Sequence, residues 1–421
     1  METYGFVLNI AIPIFFFLYF IEKIAEWRQG KQVIRGMDSV SSFSSGITNV
    51  VKDVLGLTLA VITYEWLVSR VAVVRVPDGW LTYVIAFIAI DLKGYWVHRL
   101  SHGINFLWNH HVIHHSSEEF NLSCALRQSI SEFVNYFTIF MLPAALLGVP
   151  AHVVAVIGPL HLFLQYWYHT QLIGNLGWLE HIIVTPSHHR VHHAINPEYL
   201  DKNHGQIFIL WDKWFGTFQQ ELPNVPPVYG ITRPARTWNP LKINFQHLGL
   251  MLRDAWYTRN WRDKLRLWFM PTGWRPQDVK DRFPVYSVQD VYQLEKYAPQ
   301  SSQGMVAWAW TQMFFMYFLL TYFFAHISDI GTPGIWLYGA FIGLSVFAYT
   351  ELMDHNRHAA WMELAKSCIG LGLIWYQGDW FGVSAWMPWY TWVVAGYQLI
   401  SPVVVAWFVW RELTPARQTA A

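Results

Sequence analysis

Three groups of histidines in this chain have the spacing of metal ligands. His98 and His102 are four residues apart, which stacks two imidazoles on one face of a helix. His111, His114 and His115 follow at i, i+3 and i+4, and His189, His192 and His193 repeat that pattern. Neutral imidazole is the commonest side-chain ligand and suits iron, zinc and copper. Eight such residues would more than fill an octahedral ion, so two ions are the economical reading. A ninth candidate, His169, ends the stripe His161, Gln165, His169, spaced i, i+4, i+8. His161, deeper in that stripe, reads as a packing residue or as support for a ligand. His110 and His188 adjoin ligands but point about 100° away on a helix. His152, His181, His204, His247, His326, His355 and His358 carry no ligand spacing. No Glu-x-x-His pair of the soluble di-iron bundles lies near these groups, and there is no His-Glu-x-x-His of a zinc protease. The shell is therefore all imidazole, and water, hydroxide or oxide must complete it.

Two further residues share the first stripe. Asp91, Tyr95, His98 and His102 are spaced i, i+4, i+7, i+11. An acid inside an apolar segment is costly and by default functional. Asp91 is expected to accept a ring N–H from a ligand, or else a hydrogen bond from another span, and Tyr95 beside it is a candidate catalytic residue. Arg127 and Glu132 could meet a polar headgroup or a reductant, or form an ion pair at a helix start. Asp201, Asn203 and Asp212 read as residues that order a loop over the metals.

The elements that position these side chains are membrane helices. The chain is 53% hydrophobic and only 14% charged, against roughly 25% charged in soluble domains. Apolar runs cover Phe6–Ile21, Ile47–Val68, Leu81–Val97, Phe133–Leu147, Val153–Tyr168, Val306–Ile327, Ile335–Leu352, Ile369–Val383 and Trp389–Trp410. They read as nine passes, the shorter ones open to a re-entrant hairpin. The first run lacks the positive flank and cleavage site of a signal peptide and is expected to be a retained helix. The fold class is all-α, a polytopic integral membrane bundle in three blocks. Residues 1–97 are N-terminal helices, 98–300 the histidine core with a hairpin and a polar cap, and 301–421 four further helices. Lys23, Arg28, Lys31, Arg35, Arg99, the basic residues of 187–285, Arg357, Lys366, Arg411 and Arg417 fall on one side when the passes are counted; only Arg70 and Arg75 dissent. The positive-inside rule then places the histidines at the cytoplasmic face, with the N-terminus outside and the C-terminus inside. The membrane would be the inner membrane of a bacterium or the endoplasmic reticulum of a eukaryote. A net charge of +1 makes nucleic acid an unexpected partner, and Cys124 and Cys368 form neither a disulfide framework nor a zinc motif. A metal transporter or sensor is the reading from another class. Its ligands would sit near the bilayer midplane in broken helices, whereas these cluster at span ends on one side.

The pattern His98-x3-His102, His111-x2-His114-His115, His189-x2-His192-His193 resembles the fatty acid hydroxylase and sterol desaturase superfamily. The stretches 111–119, 121–128, 185–193, 201–203 and 211–217 are similar to its alkylglycerol monooxygenase branch. The resemblance is dense over roughly 91–240, by motif content, and thin elsewhere. It implies a di-iron, oxygen-dependent enzyme that hydroxylates the carbon next to the oxygen of an ether lipid, so that a fatty aldehyde and glycerol separate. The eight motif histidines would be its ligands. Electrons would come from outside, from tetrahydrobiopterin in the animal enzymes, because no flavin or haem module is recognisable. Gly103 stands where the animal pattern has an acidic residue, so the pterin rests on membership alone. Within the superfamily, hydroxylation or desaturation of a sterol, fatty acid or carotenoid is the alternative. Zinc could replace iron in purified protein.

Overall fold

A computed structural model describes residues 2–414; Arg417 lies outside them. The chain opens with two helices, α1 (Glu2–Gln29) and α2 (Gly36–Val54), then a short α3 (Tyr64–Val71), and α4 (Trp80–Gly103) and α5 (Asn105–His115). Next come α6 (Leu142–Leu146) and α7 (Ala151–Phe163), then a cap carrying α8 (Pro186–His192), α9 (Leu210–Phe215), α10 (Pro240–Tyr257), α11 (Trp261–Arg266) and α12 (Gln277–Arg282). Four long helices close the chain: α13 (Gln303–Ala325), α14 (Ile327–Met353), α15 (Ala359–Gln377) and α16 (Pro388–Glu412). The expectation of a mostly helical membrane protein is met. Gly5–Gln29, Trp80–Gly103, Ile327–Met353 and Pro388–Glu412 are each long and apolar enough to cross a bilayer.

Of the nine expected passes, five do not meet that measure: Val306–Ile327 falls largely on α13, Ile369–Val383 runs past the end of α15 at Gln377, and the other three are not single spans. The run Ile47–Val68 breaks after Val54, where Gly56 turns with a φ of +62°, and residues 59–60 pair in parallel with 134–135 before Thr63 caps α3. The helix that does form, α2, begins eleven residues before that run, at Gly36, and is rich in serine. Hydropathy misses it because its serines are satisfied within the bundle: Ser44 donates to the Val40 carbonyl and Ser41 to that of Trp238. The runs Phe133–Leu147 and Val153–Tyr168 give a 3₁₀ turn, the five-residue α6 with Pro143 in its first turn, and the 13-residue α7 with Pro159 inside. At 1.5 Å per residue α7 reaches about 20 Å, short of a hydrocarbon core of about 30 Å. Both pieces pack on α4.

Helix ends gather at two levels. Near one, Ser302 at the start of α13 donates to Glu412 at the end of α16, and Asp354 after α14 accepts from Trp238 N of the cap. Near the other, Gly5 of α1 lies against the Phe324 carbonyl at the end of α13. The histidine-bearing ends of α4 and α5 belong to the level of the cap. Most of the apolar core lies among α2 and α13–α16, around Phe43, Met313, Phe323, Tyr338, Val346 and Trp380.

Candidate metal centre

α4 runs to Gly103 and stops at Ile104, whose extended backbone (φ −127°, ψ 126°) redirects the chain into α5. The two helices fold back on each other, so that His98 and His102 face His111 and His115. The third histidine group rides on α8. Thr185 caps that helix and Pro186 begins it, the Thr185 side chain bonding the backbone of His188 while the His188 ring returns to the Thr185 N–H. His188 is thereby spent on the cap and turns away from the ligands beside it.

Nine imidazoles sort into two groups. In each, one nitrogen per ring lies within 4.8 Å of all the others: His98, His102, His111, His115 and His192 in the first, His114, His169, His189 and His193 in the second. Each His-x-x-His-His motif serves both groups. Residues i and i+4 share a helix face, so His111 and His115 go to one group and His189 and His193 to the other, while His114 and His192 project to the neighbouring group. The doubled histidine is thus a bridge between two sites.

The ring nitrogens divide their work. The Nδ1 atom of His98 is 2.8 Å from the His204 carbonyl, that of His192 2.9 Å from the Lys202 carbonyl, and that of His169 3.0 Å from the Gln165 carbonyl. His102 Nδ1 is 3.2 Å from a carboxylate oxygen of Asp201. A carbonyl or carboxylate acceptor holds the proton on Nδ1, which leaves Nε2 as a bare lone pair. The Nε2 atoms of these rings converge with those of the other ligands: His98 and His111 at 2.9 Å, His111 and His115 at 3.0 Å, His189 and His169 at 2.8 Å, His189 and His193 at 3.0 Å. His192 Nε2 is buried with no partner. A neutral ring can donate its one N–H to a neighbour, but four or five converging rings still keep lone pairs that call for a cation between them. Protons do not fill that role readily, because burial pushes His111, His115, His189, His192 and His193 well below the usual histidine range, and His114 down to about 3. The donor set fits two metal ions.

Asp91 supports this arrangement at one remove. It hydrogen-bonds none of the nine imidazoles. Its carboxylate accepts from His161 Nε2 at 2.7 Å, from the backbone N–H groups of Ile207 and Phe208 at 2.8 and 3.1 Å, and from Trp211 Nε1 at 2.7 Å. The shared stripe fixed its face but not its depth, for seven residues put it about 10 Å along the axis from His98. What Asp91 holds is the 204–211 loop, whose His204 carbonyl orients His98. The same loop presses on α4 at Gly94, where an added Cβ would overlap Gln206. Tyr95 bonds Thr217 Oγ1 at 2.9 Å and receives Arg99 Nη1 at 3.0 Å, away from the imidazoles.

The loop residues order this segment. Asp212 accepts from the N–H groups of His204 and Gly205, both at 2.7 Å, and Asn203 spans His188 and Gln219. Asp201 and Asn203 both adopt φ of +55°, a left-handed conformation that Asn and Asp tolerate best, and the turn aims the Lys202 carbonyl at His192. Arg127 is buried and paired with Asp38 at 2.7 Å, and its carbonyl faces His114 Nδ1 at 3.3 Å. One residue was missed. His204 packs its ring 5.0 Å from that of His102 and 5.6 Å from that of His98, and its Nδ1 is buried without a partner. Its place one residue after Asp201-Lys202-Asn203 was the available signal.

A cavity of about 600 Å³ ends on His102, His115, His192 and His193. Trp108, Val112, Ile231 and Leu250 line it, with Arg233, Lys280 and Tyr286 further along its wall. It opens among cap elements, between α5, α10 and the 272–288 segment.

The fatty acid hydroxylase family profile matches residues 83–217, the segment that carries all nine imidazoles. Human alkylglycerol monooxygenase is 34% identical over 369 residues, covering 86% of this chain and 81% of the human one. The zebrafish enzyme is 31% identical, covering 87% and 82%. The chain belongs to the alkylglycerol monooxygenase family. The ornithine lipid hydroxylase OlsE of Rhizobium tropici is 29% identical over 145 residues, covering 34% of this chain and 44% of OlsE. No solved structure matches the chain. Similarity to the alkylglycerol monooxygenases extends well beyond the histidine region.

Proposed function

We propose that this protein is an oxygen-dependent lipid monooxygenase that opens alkylglycerol ethers. The match of most of the chain to alkylglycerol monooxygenases carries the reading, joined to the two converging imidazole groups. One atom of dioxygen replaces a C–H bond next to the ether oxygen by C–OH, and the other leaves as water with two electrons and two protons from an external reductant. The hemiacetal then breaks its bond to the glycerol oxygen, giving a fatty aldehyde and glycerol. His98, His102, His111, His115 and His192 and the group His114, His169, His189 and His193 would hold two iron ions, which would supply the redox chemistry for oxidising that C–H bond. Carbonyls and Asp201 keep the Nε2 lone pairs free, burial excludes bulk water, and Trp108, Val112, Ile231 and Leu250 hold the alkyl chain. Tetrahydrobiopterin is the reductant that membership supports. The cavity faces the cytoplasm, where a soluble reductant arrives, with the N-terminus on the opposite side.

Iron-loaded protein given oxygen, an alkylglycerol and tetrahydrobiopterin should release fatty aldehyde, and the corresponding ester lipid should be inert. Aldehyde release with another reductant but not with pterin removes the pterin and keeps the reaction. Turnover of sterols or fatty acids without turnover of ethers replaces the ether-lipid reading with a broader one of the same superfamily.

A further inference from the structure

The cavity opens in the cap, yet its lipid comes from a bilayer. α10 stands between the two. Its residues Ile243, His247, Met251 and Asp254 are buried, and Gln246, His247 and Leu250 line the cavity. The opposite stripe, Phe245, Leu252 and Trp256 at i, i+7, i+11, is exposed, with Trp256 79% exposed. α11 and the turn after it continue this surface: Trp261, Leu265 and Phe269 are 64%, 64% and 76% exposed. An apolar patch of this kind on a folded surface marks a contact site.

Charge and position name the contact. Arg259, Arg262 and Lys264 lie among these side chains, while the two acids of the stretch are buried and paired, Asp254 with Arg275 and Asp263 with Arg266. A face dominated by aromatic, aliphatic and cationic groups, with one partly exposed acid, Asp278, held at the turn by Thr258 and the Arg259 N–H, suits the headgroup layer of an anionic leaflet. It is also fixed at the end of a crossing helix. Just past the end of α4, the N–H groups of Asn105 and Phe106 donate to the carbonyls of Met270 and Trp268, at 3.0 and 2.9 Å. α4 leaves the hydrocarbon there, so the patch sits where an interfacial aromatic belt belongs.

We propose that α10, α11 and the 267–270 turn lie in the headgroup layer of an anionic leaflet, as the surface over which lipid passes into the cavity. The passage of substrate rests on the lipid-monooxygenase reading; the seating on the membrane does not. Depth measurement by spin labelling tests the seating without turnover. Cys124 is buried and Cys368 exposed, so Cys368→Ser provides the background. Single nitroxides go at Leu265→Cys, at Trp256→Cys as a second position on the patch, and at Gln289→Cys on the exposed cap as reference. The full chain is placed in discs of phosphatidylcholine with and without phosphatidylglycerol. Labels at 265 and 256 should collide with oxygen in preference to a water-soluble nickel chelate, more strongly with phosphatidylglycerol present, while the label at 289 does the reverse. Labels at 265 and 256 as open to the chelate as that at 289, in both lipids, would overturn the proposal and leave the surface to an acidic protein partner.

Discussion

The C-terminal helices α13–α16 and the histidine region 98–217 are held together by different means. The former share one apolar core with α2, in which Phe323, Tyr338, Val346 and Trp380 pack out of contact with solvent. Among the described residues the histidine region has only small apolar groups, such as Phe120 and Cys124 against Tyr229 of the cap, or Val191, Ala194 and Tyr199. Its middle is nine imidazoles whose free nitrogens face one another. Apolar packing is indifferent to ions; opposed lone pairs are not. The cohesion of one region is built into its side chains, and that of the other depends on what the side chains hold, since metal-binding energy becomes folding energy wherever the site is incomplete without the ion.

Removing one group of ligands should separate the regions most sharply. His189→Ala and His98→Ala each remove a ligand from a different group. Metal content should fall from about two ions per chain towards one, and activity by more than the roughly 100-fold typical of losing a supporting partner. Hydrogen exchange in α13–α16 should barely change. Elemental analysis still giving two ions in both variants would break the assignment of ligands to groups.

Acid should expose the same contrast. Burial holds the pKa of His111, His115, His189 and His193 well below the ordinary histidine value, and that of His114 at about 3. The unfolded chain takes up protons below about pH 6.5 that the folded chain refuses, so these groups stabilise the fold above that pH and lose the contribution as pH falls towards the folded values. Metal-stripped protein should lose protection in residues 105–217 progressively below about pH 6.5, with α13–α16 intact. Metal-loaded protein should resist further into acid, because each ligand must release its ion before it can protonate. Equal acid sensitivity of both regions, read by hydrogen exchange, would refute the contrast.

Asp91→Asn comes next in size. The amide oxygen can accept from the two donors now on one carboxylate oxygen, and its NH₂ must face the two donors on the other. Activity should drop about 10- to 100-fold with most of the metal kept, as for other groups that orient a ligand through an intermediary. Loss of all metal would make Asp91 a ligand against its geometry; full activity would reduce it to a link between α4, α7 and the 204–211 loop.

The parts of the centre that could be read in the sequence are those whose geometry is local. Spacings of three and four residues fix a helix face whatever the surroundings, and all nine candidate imidazoles came together. Depth and loop contacts are not local: Asp91 shares a face with His98 but meets His161 seventy residues on, and His204 reaches the site through a turn built by Asp201 and Asn203. The helical membrane architecture was legible too, because apolar length is a property of the segment. It failed where the bundle satisfied serines, as in α2, and where prolines shortened α6 and α7.

Tyr95 gives the smallest effect and the finest test of where chemistry ends and support begins. Its place on the stripe with His98 and His102 made it a catalytic candidate, yet its hydroxyl is occupied by Thr217 and Arg99, and its ring stacks on Phe215 with centroids 5.3 Å apart. Thr217 also donates to Asp212, which holds the N–H groups of His204 and Gly205. Tyr95→Phe keeps the ring and removes one hydrogen-bonding group from this chain. It should cost about 1 kcal/mol of stability, seen as a slightly lower melting temperature, and leave turnover within a few-fold of the parent with metal content unchanged. A proton donor in the reaction would behave otherwise: losing a general acid typically costs about 10²- to 10⁴-fold in rate. A loss of that size with two metals still bound would place the Tyr95 hydroxyl in the chemistry and move the boundary of the centre one turn further up α4.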